Sequence, residues 1–162
     1  MSYPLIKRTA RFRNLLLLCT ALCGALLLMP NALGQKRNEE PEKPLFQEYR
    51  GIQLGMAADE VRKKLGNPTD KGDEQDFFML NDAESAQVFY DKTKKVMAIS
   101  ANFLQGAQNV PTPKVLFGEE LAAKPDGSVY KMTRYPKAGC WLSYSKTAGA
   151  SPLIVVTLQK ID

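Results

Sequence analysis

The chain has 162 residues, with 22 Lys and Arg against 17 Asp and Glu, which gives a formal net charge of +5. This length allows one domain of ordinary size or two very small ones. The chain contains no histidine, so a Ser-His-Asp or Cys-His relay is excluded and the commonest metal ligand is missing. Four of the cations and none of the acids lie in residues 1–34, so the remaining 18 Lys and Arg nearly balance the 17 acids. No basic stripe with interleaved aromatic residues follows, and nucleic acid is therefore not expected as a partner.

Residues 1–34 have the pattern of a secretory signal peptide. Basic residues precede an apolar run from Leu15 to Met29, and Ala32-Leu33-Gly34 supplies the small residues of a cleavage site before Gln35. The run has 15 residues, short of the roughly 20 that a membrane-spanning helix needs. We therefore expect an exported protein of the periplasm or the outer membrane. An inner-membrane protein anchored by an uncleaved signal, or a secreted protein, is the alternative.

The cysteines add little chemistry to this prediction. Cys19 and Cys23 lie in the apolar run and each follows a leucine, whereas a lipoprotein signal places a small residue before the modified cysteine, so the pattern disfavours lipidation. Cys140 is the one cysteine beyond the signal. We expect it to be a buried, inert thiol without a disulfide partner in its own chain.

The next segments are a linker and a helix. Residues 35–48 are charged and carry prolines, which predicts a flexible linker, with the folded part beginning near Tyr49. Residues 57–65 predict the clearest helix, because their apolar side chains recur on one face. Gly66 is expected to end that helix in the left-handed conformation, and Pro68 prevents its continuation.

The rest of the chain predicts two groups of three antiparallel strands, separated by a helical turn. The turn is capped by Thr112, opens with Pro113 and ends before Gly118. The predicted strands are residues 76–80, 87–90 and 96–103, and then Val129–Tyr135, Cys140–Ser145 and Leu153–Gln159.

The predicted fold class is therefore α+β, with short helices packed on antiparallel sheets. A period of about 52 residues, from Gly66 to Gly118, favours tandem α-βββ units over residues 49–108 and 109–162. In that arrangement two small sheets lie side by side, and a helix covers one face of each. Two successive units without duplication remain the alternative.

The segment Gly55-Met56-Ala57-Ala58-Asp59-Glu60-Val61-Arg62-Lys63-Lys64-Leu65-Gly66-Asn67-Pro68 carries a family resemblance. It resembles the Gly-Met-(Thr/Ser)-x-x-(Glu/Gln)-Val-x-x-x-Leu-Gly-x-Pro signature of the small outer-membrane assembly lipoproteins, the BamE or SmpA/OmlA type. Tyr90-Asp91 with Lys95-Val96 is similar to the hairpin of that family, so the resemblance covers about residues 50–103. We expect structural roles for the matching residues Gly55, Met56, Glu60, Val61, Leu65, Gly66 and Pro68.

The resemblance implies a function in envelope protein assembly. It implies contact with a protein partner in the bacterial cell envelope, with a peripheral lipid contact nearby. The tandem arrangement is also similar to that of the beta-lactamase inhibitory protein, which grips an enzyme with a concave sheet. A secreted or periplasmic inhibitor or ligand-binding protein is therefore the alternative function.

The remaining residues do not predict catalysis or a cofactor. The acidic run of Asp70, Asp73, Glu74 and Asp76 lacks the spacing of a calcium loop, and we interpret it as a solvated turn. The glycines are too dispersed for a nucleotide-binding loop. We expect a non-enzymatic protein without a metal ion or cofactor.

Aromatic and basic residues in the second half are the candidate partner-binding surface. Strand alternation places Lys131 and Tyr135 on one face of 129–135, and Tyr130 and Arg134 on the other. Alternation alone does not decide which face covers the core. The candidate residues are Tyr130, Lys131, Arg134, Tyr135 and Trp141, and the basic members together with Lys137 could contact anionic lipid headgroups.

Overall fold

The computed structural model describes residues 43–161. The predicted signal peptide and most of the predicted linker lie outside these residues. No helix between residues 43 and 161 is long and apolar enough to cross a membrane. The elements in chain order are β1 (Glu48–Tyr49), β2 (Ile52–Gln53), α1 (Ala58–Leu65), β3 (Asp70–Lys71), β4 (Gln75–Asn81), β5 (Glu84–Tyr90), β6 (Val96–Phe103), α2 (Pro113–Phe117), β7 (Val129–Tyr135), a 3-10 turn (Pro136–Ala138), β8 (Cys140–Lys146) and β9 (Ile154–Lys160).

Helix α1 occupies the predicted segment, but the conformation of its C-cap residue differs from the predicted one. Ala57 is the N-cap residue in an extended conformation, and its backbone N–H donates to the Glu60 carboxylate at 3.2 Å. Gly66 ends the helix with a φ of 87° and a ψ of −164°. The expected left-handed helical cap is therefore wrong at Gly66: φ is positive, as glycine allows, but ψ returns the chain to an extended path.

The N-cap of α1 gives a first testable prediction. Glu60 supplies one half of a capping box, but the Ala57 methyl group has no oxygen to accept the N–H of the first turn. Ala57→Thr should therefore raise the free energy of unfolding by about 1 kcal/mol, measured as a higher melting temperature. Ala57→Val is the matched control, since valine has the shape of threonine without the hydroxyl. An equal gain from valine would contradict the capping explanation.

The other motif residues attach α1 to the sheet. The Gly55 N–H donates to the Val96 carbonyl at 2.8 Å, and the Val96 N–H donates to the Met56 carbonyl at 2.9 Å. Gly55 has a φ of 83°, which a residue with a side chain rarely adopts. Val61 is fully buried, and Leu65 packs partly against the core. Pro68 follows the helix at intermediate exposure.

The second helix confirms its predicted caps. The Thr112 hydroxyl accepts from the Val115 N–H at 3.4 Å, Pro113 occupies the first turn, and Gly118 ends the helix in the left-handed conformation with a φ of 79° and a ψ of 2°. Leu116 is the buried residue of this short helix.

All the longer strands belong to one antiparallel sheet. Its seven strands lie in the order β3-β4-β5-β6-β9-β8-β7. The expectation of two separate sheets is wrong, because the last strand, β9, lies within the sheet between β6 and β8. β9 pairs with β6 on one side, where Ile99 lies opposite Leu158, and with β8 on the other, where Leu142 lies opposite the same leucine. The mixed α+β class is confirmed, and the sheet dominates it.

One face of the sheet, the covered face, forms the core. It carries Phe78, Val88, Ile99, Leu142 and Leu158, all essentially inaccessible to solvent. Both helices and the β1–β2 hairpin add their buried residues to this same cluster, among them Ile52, Val61 and Leu116.

The folded part begins earlier than its predicted boundary. Pro44 is buried and Phe46 packs against the core. Both residues fall within the segment of residues 35–48 that the sequence predicts as a linker.

Candidate functional site

The face opposite the core, which we call the open face, carries three rows of side chains that cross the sheet. Strand registers place Met79, Ser85, Asn102, Val155, Ser145 and Tyr130 in one row; Phe77, Gln87, Ser100, Thr157, Ser143 and Met132 in the second; and Gln75, Phe89, Ala98, Gln159, Trp141 and Arg134 in the third. Most central positions are polar or small, with Val155 and Phe89 as exceptions, and most of the large side chains lie on the two flanks. None of the described helices contributes a buried residue to this face.

Hydrogen bonds between side chains tie the polar centre of the open face together. Ser100 and Thr157 share a hydrogen bond of 3.3 Å between adjacent strands, and Asn102 donates to Ser85 at 3.4 Å. Near one flank, Gln87 donates to Gln75 at 2.8 Å. The centre is therefore ordered and polar, and its groups can exchange hydrogen bonds with a partner that displaces water.

The flanks of the open face expose large apolar side chains. Met79 on β4 is 57% exposed, and Tyr130 and Met132 on β7 are 56% and 47% exposed. Trp141 lies beside Arg134 on the adjacent strand. Clusters of exposed apolar side chains are typical of interaction surfaces, whereas single exposed apolar residues are common on any protein surface.

The structure divides the predicted partner-binding residues between the two faces. Tyr130, Arg134 and Trp141 lie on the open face. Lys131 and Tyr135 lie on the covered face, where Tyr135 is buried and Lys131 forms an ion pair with Glu119. The Lys131 ammonium also lies 5.3 Å from the centre of the Phe117 ring. The predicted alternation was correct, but the five residues do not form a single surface.

Two buried carboxylates are the polar feature that the sequence interpretation missed. Asp76 is fully buried on the covered face. Arg62 donates to it from Nε at 2.8 Å and from Nη2 at 3.1 Å, and the Tyr90 hydroxyl donates at 2.8 Å. The prediction of a solvated acidic turn is therefore wrong for Asp76, although Asp70, Asp73 and Glu74 are exposed.

Glu84 forms a second cluster of the same kind. Its carboxylate accepts from the Tyr49 hydroxyl at 2.6 Å and from Arg50 Nε and Nη2 at 3.0 and 2.6 Å. Asn81 adds a fourth hydrogen bond at 3.3 Å. The Arg50 guanidinium, followed by the Tyr49 hydroxyl, holds the pKa of Glu84 below its ordinary value.

Both clusters connect elements that are distant in the chain. Each carboxylate accepts hydrogen bonds from an arginine and a tyrosine, and these bonds tie α1 or the β1–β2 turn to the sheet. Within residues 43–161, no group of three Cys, Asp or Glu side chains could hold a metal ion. Burial raises the pKa of the Cys140 thiol, which disfavours the reactive thiolate.

The tyrosines of the two clusters give a prediction at alkaline pH. Burial, reinforced by the adjacent carboxylate, raises the pKa of Tyr49 and of Tyr90 well above the ordinary value of about 10. The folded state then keeps protons that the unfolded state releases, so stability should fall as pH rises above about 10. Urea unfolding at pH 8 and at pH 11 measures the loss. Tyr90→Phe should be less stable than the wild type at pH 8, and its free energy of unfolding should fall by a smaller amount between pH 8 and pH 11. An equal fall in both proteins would contradict the raised pKa of Tyr90.

Comparisons of the chain with protein-family models, with curated proteins and with solved structures found no match.

Proposed function

We propose that this chain is a non-enzymatic binding module of the bacterial cell envelope, which assists the assembly of outer-membrane or other envelope proteins by contact with a protein partner. The observation that carries the proposal is the open face, where exposed large apolar side chains flank a polar centre. Tyr, Trp, Met and Arg are the residue types enriched in protein interfaces. The β7–β8 flank has this composition in Tyr130, Met132, Arg134 and Trp141.

The envelope location rests on the sequence of residues 1–34 and on the resemblance of residues 50–103 to the BamE or SmpA/OmlA type. The finer fold proposed with it is a tandem of α-βββ units over residues 49–108 and 109–162. Support comes from the order of elements, since α1 precedes β4, β5 and β6, and α2 precedes β7, β8 and β9. In this proposal the two units share one sheet through the β6–β9 pair.

A second candidate is a secreted or periplasmic inhibitor or ligand-binding protein. It is favoured by the presence of apolar groups on both flanks of the open face, with Met79 at one side and Tyr130 at the other. A rounded partner surface could contact both flanks at once while the polar centre hydrogen-bonds to its tip.

Site-specific photocrosslinking in intact cells tests the proposal. A photoreactive phenylalanine analogue replaces Tyr130 on the open face, and the matched control places it at Val115, which is 60% exposed on α2. Crosslinks from position 130 to components of the barrel-assembly machinery would support the first candidate, and crosslinks to one soluble enzyme would support the second. Equal crosslinking from both positions, or none from position 130, would overturn the open face as the binding site.

The mass of the mature N-terminus tests the location independently. A chain that begins at Gln35 is expected for a cleaved export signal. A start at Cys19 or Cys23 with added acyl mass would instead identify a lipoprotein. Recovery of the native protein from the cytosol with residues 1–34 intact would overturn the envelope assignment.

A further inference from the structure

The middle of the open face carries no charged side chain. The four strands β5, β6, β9 and β8 form this part, which we call the central strip; it runs from Ser85 to Ser145 in the first row, from Gln87 to Ser143 in the second and from Phe89 to Trp141 in the third. All of its residues are neutral, although 24% of the residues of the chain are charged. Every residue of the strip except Ala98 is partly exposed, and charged side chains ordinarily concentrate at such positions. Burial therefore does not explain the neutrality of the strip.

Hydroxyl and amide groups supply most of the polarity of the strip. Hydroxyl and amide side chains both donate and accept hydrogen bonds. The Ser100–Thr157 bond of 3.3 Å and the Asn102–Ser85 bond of 3.4 Å each use one donor and one acceptor, so these groups keep further capacity for a ligand. The strip therefore offers many weak, neutral donors and acceptors in one plane.

The composition of the strip differs from that of a protein interface. Serine is depleted in such interfaces, whereas arginine and tyrosine are enriched. The strip contains neither arginine nor tyrosine, and its four serines are Ser85, Ser100, Ser143 and Ser145. The β7 flank, with Tyr130 and Arg134, has the opposite composition. The two parts of the open face are therefore suited to different ligands.

Two aromatic side chains lie at the ends of the third row of the strip. Phe89 on β5 and Trp141 on β8 are separated by Ala98 and Gln159. Three strand spacings, or roughly 14 Å, lie between their backbones. The methyl group of Ala98 is small and buried, so the surface between the two rings is low. The rings provide apolar faces beside the amide of Gln159.

We propose that the central strip binds a strand of a neutral polysaccharide. Sugar hydroxyl groups donate and accept hydrogen bonds as the groups of the strip do, and the C–H faces of sugar rings pack on aromatic side chains. A phosphate or carboxylate ligand would find no opposite charge on the strip, and an acyl chain would bury its hydroxyls without partners. The inference goes beyond the proposed function and does not depend on it, because the β7–β8 flank proposed to contact a protein shares only Trp141 with the strip.

Fluorescence titration of the purified protein tests the ligand class. Trp141 is the only tryptophan of the chain, so its emission reports binding at the strip directly. Cellohexaose and chitohexaose are neutral, extended hexamers, and at least one of them should give a saturable change. The two hexamers distinguish a glucan from a strand of acetamido sugars. No saturable change with either hexamer up to millimolar concentration would overturn the proposal.

Charged forms of the same hexamers are the matched ligands. At pH 5, C6-oxidised cellohexaose is an anion and deacetylated chitohexaose is a cation. Each should bind at least roughly tenfold more weakly than its neutral parent, because the strip offers no counter-charge. A charged form that binds as tightly as its bound neutral parent would contradict the proposal.

Gln159→Leu tests the position of the site. The change removes the amide between the two rings and keeps a side chain of similar size, so affinity for the bound hexamer should fall roughly tenfold. Gln53→Leu is the matched control, since Gln53 lies on β2, outside the open face, and this variant should bind like the wild type. Unchanged affinity in Gln159→Leu with native circular dichroism, or equal weakening by Gln53→Leu, would overturn the site.

Ser143→Lys and Ser143→Glu test the neutrality of the site. Both variants should weaken binding of the neutral hexamer, because a charge of either sign would have to lose water without a partner. Tighter binding by either variant would contradict a neutral ligand. These titrations do not involve Tyr130, so their failure would leave the crosslinking test of the protein partner unaffected.

Discussion

Asp76→Asn is expected to lower the free energy of unfolding by about 3–5 kcal/mol, because it removes the charge from a buried ion pair while its partner stays in place. Asp76 is fully buried and accepts two hydrogen bonds from Arg62 and one from Tyr90. The asparagine amide brings N–H groups where three donors converge, so at least one donor loses its acceptor. Urea denaturation monitored by circular dichroism measures the loss.

Asp73→Asn is the matched control for this prediction. Asp73 lies three residues earlier and also pairs with a cation, since Lys94 donates to it at 2.8 Å, but its side chain is almost fully exposed. Exposed ion pairs add little to stability, so this variant should unfold like the wild type. Equal losses from both variants would show that the acidic segment matters through total charge and not through the buried cluster.

The contrast between these two aspartates shows what the sequence can and cannot predict. Four acids within seven residues predict a solvated turn, and three of them are exposed. Asp76 differs because it belongs to β4, two residues before Phe78, on the same face of the strand. The strand period alone places it in the core, but a carboxylate there requires an arginine, and Arg62 comes from a helix 14 residues earlier. Such a pairing between distant elements is not visible in local patterns.

Local elements were the predictable part of the fold. The bounds of β6 and β7 agree with the predicted strands at both ends, and alternation separated Tyr130 from Lys131 correctly. Local signals suffice for this because side-chain alternation and helix caps depend on neighbouring residues. The choice between one sheet and two depends on which strand β9 joins, and no local pattern encodes a pairing of residues 98–103 with residues 154–159.

The same pairing leads to a prediction about cooperativity. Phe78→Ala removes a buried aromatic side chain from β4, in the first half of the chain, and should lower the free energy of unfolding by about 3–5 kcal/mol. Trp141 is the only tryptophan of the chain and lies on β8, in the second half. Urea unfolding followed by Trp141 fluorescence should therefore show the same lowered midpoint as unfolding followed by far-ultraviolet circular dichroism. This holds even though Phe78 and Trp141 need not be in contact.

The physical reason is that β9 is hydrogen-bonded to both halves. Its residues pair with Ala98–Phe103 on one side and with Cys140–Lys146 on the other, so the first half cannot open without exposing one side of this strand and the core beneath it. Coincident midpoints from the two probes are the accepted sign of a single transition. Val115→Ala, at an exposed position on α2, should leave both midpoints unchanged. A Trp141 transition that stays at its wild-type midpoint in Phe78→Ala would mean that the halves unfold independently and that the β6–β9 pair contributes little to their coupling.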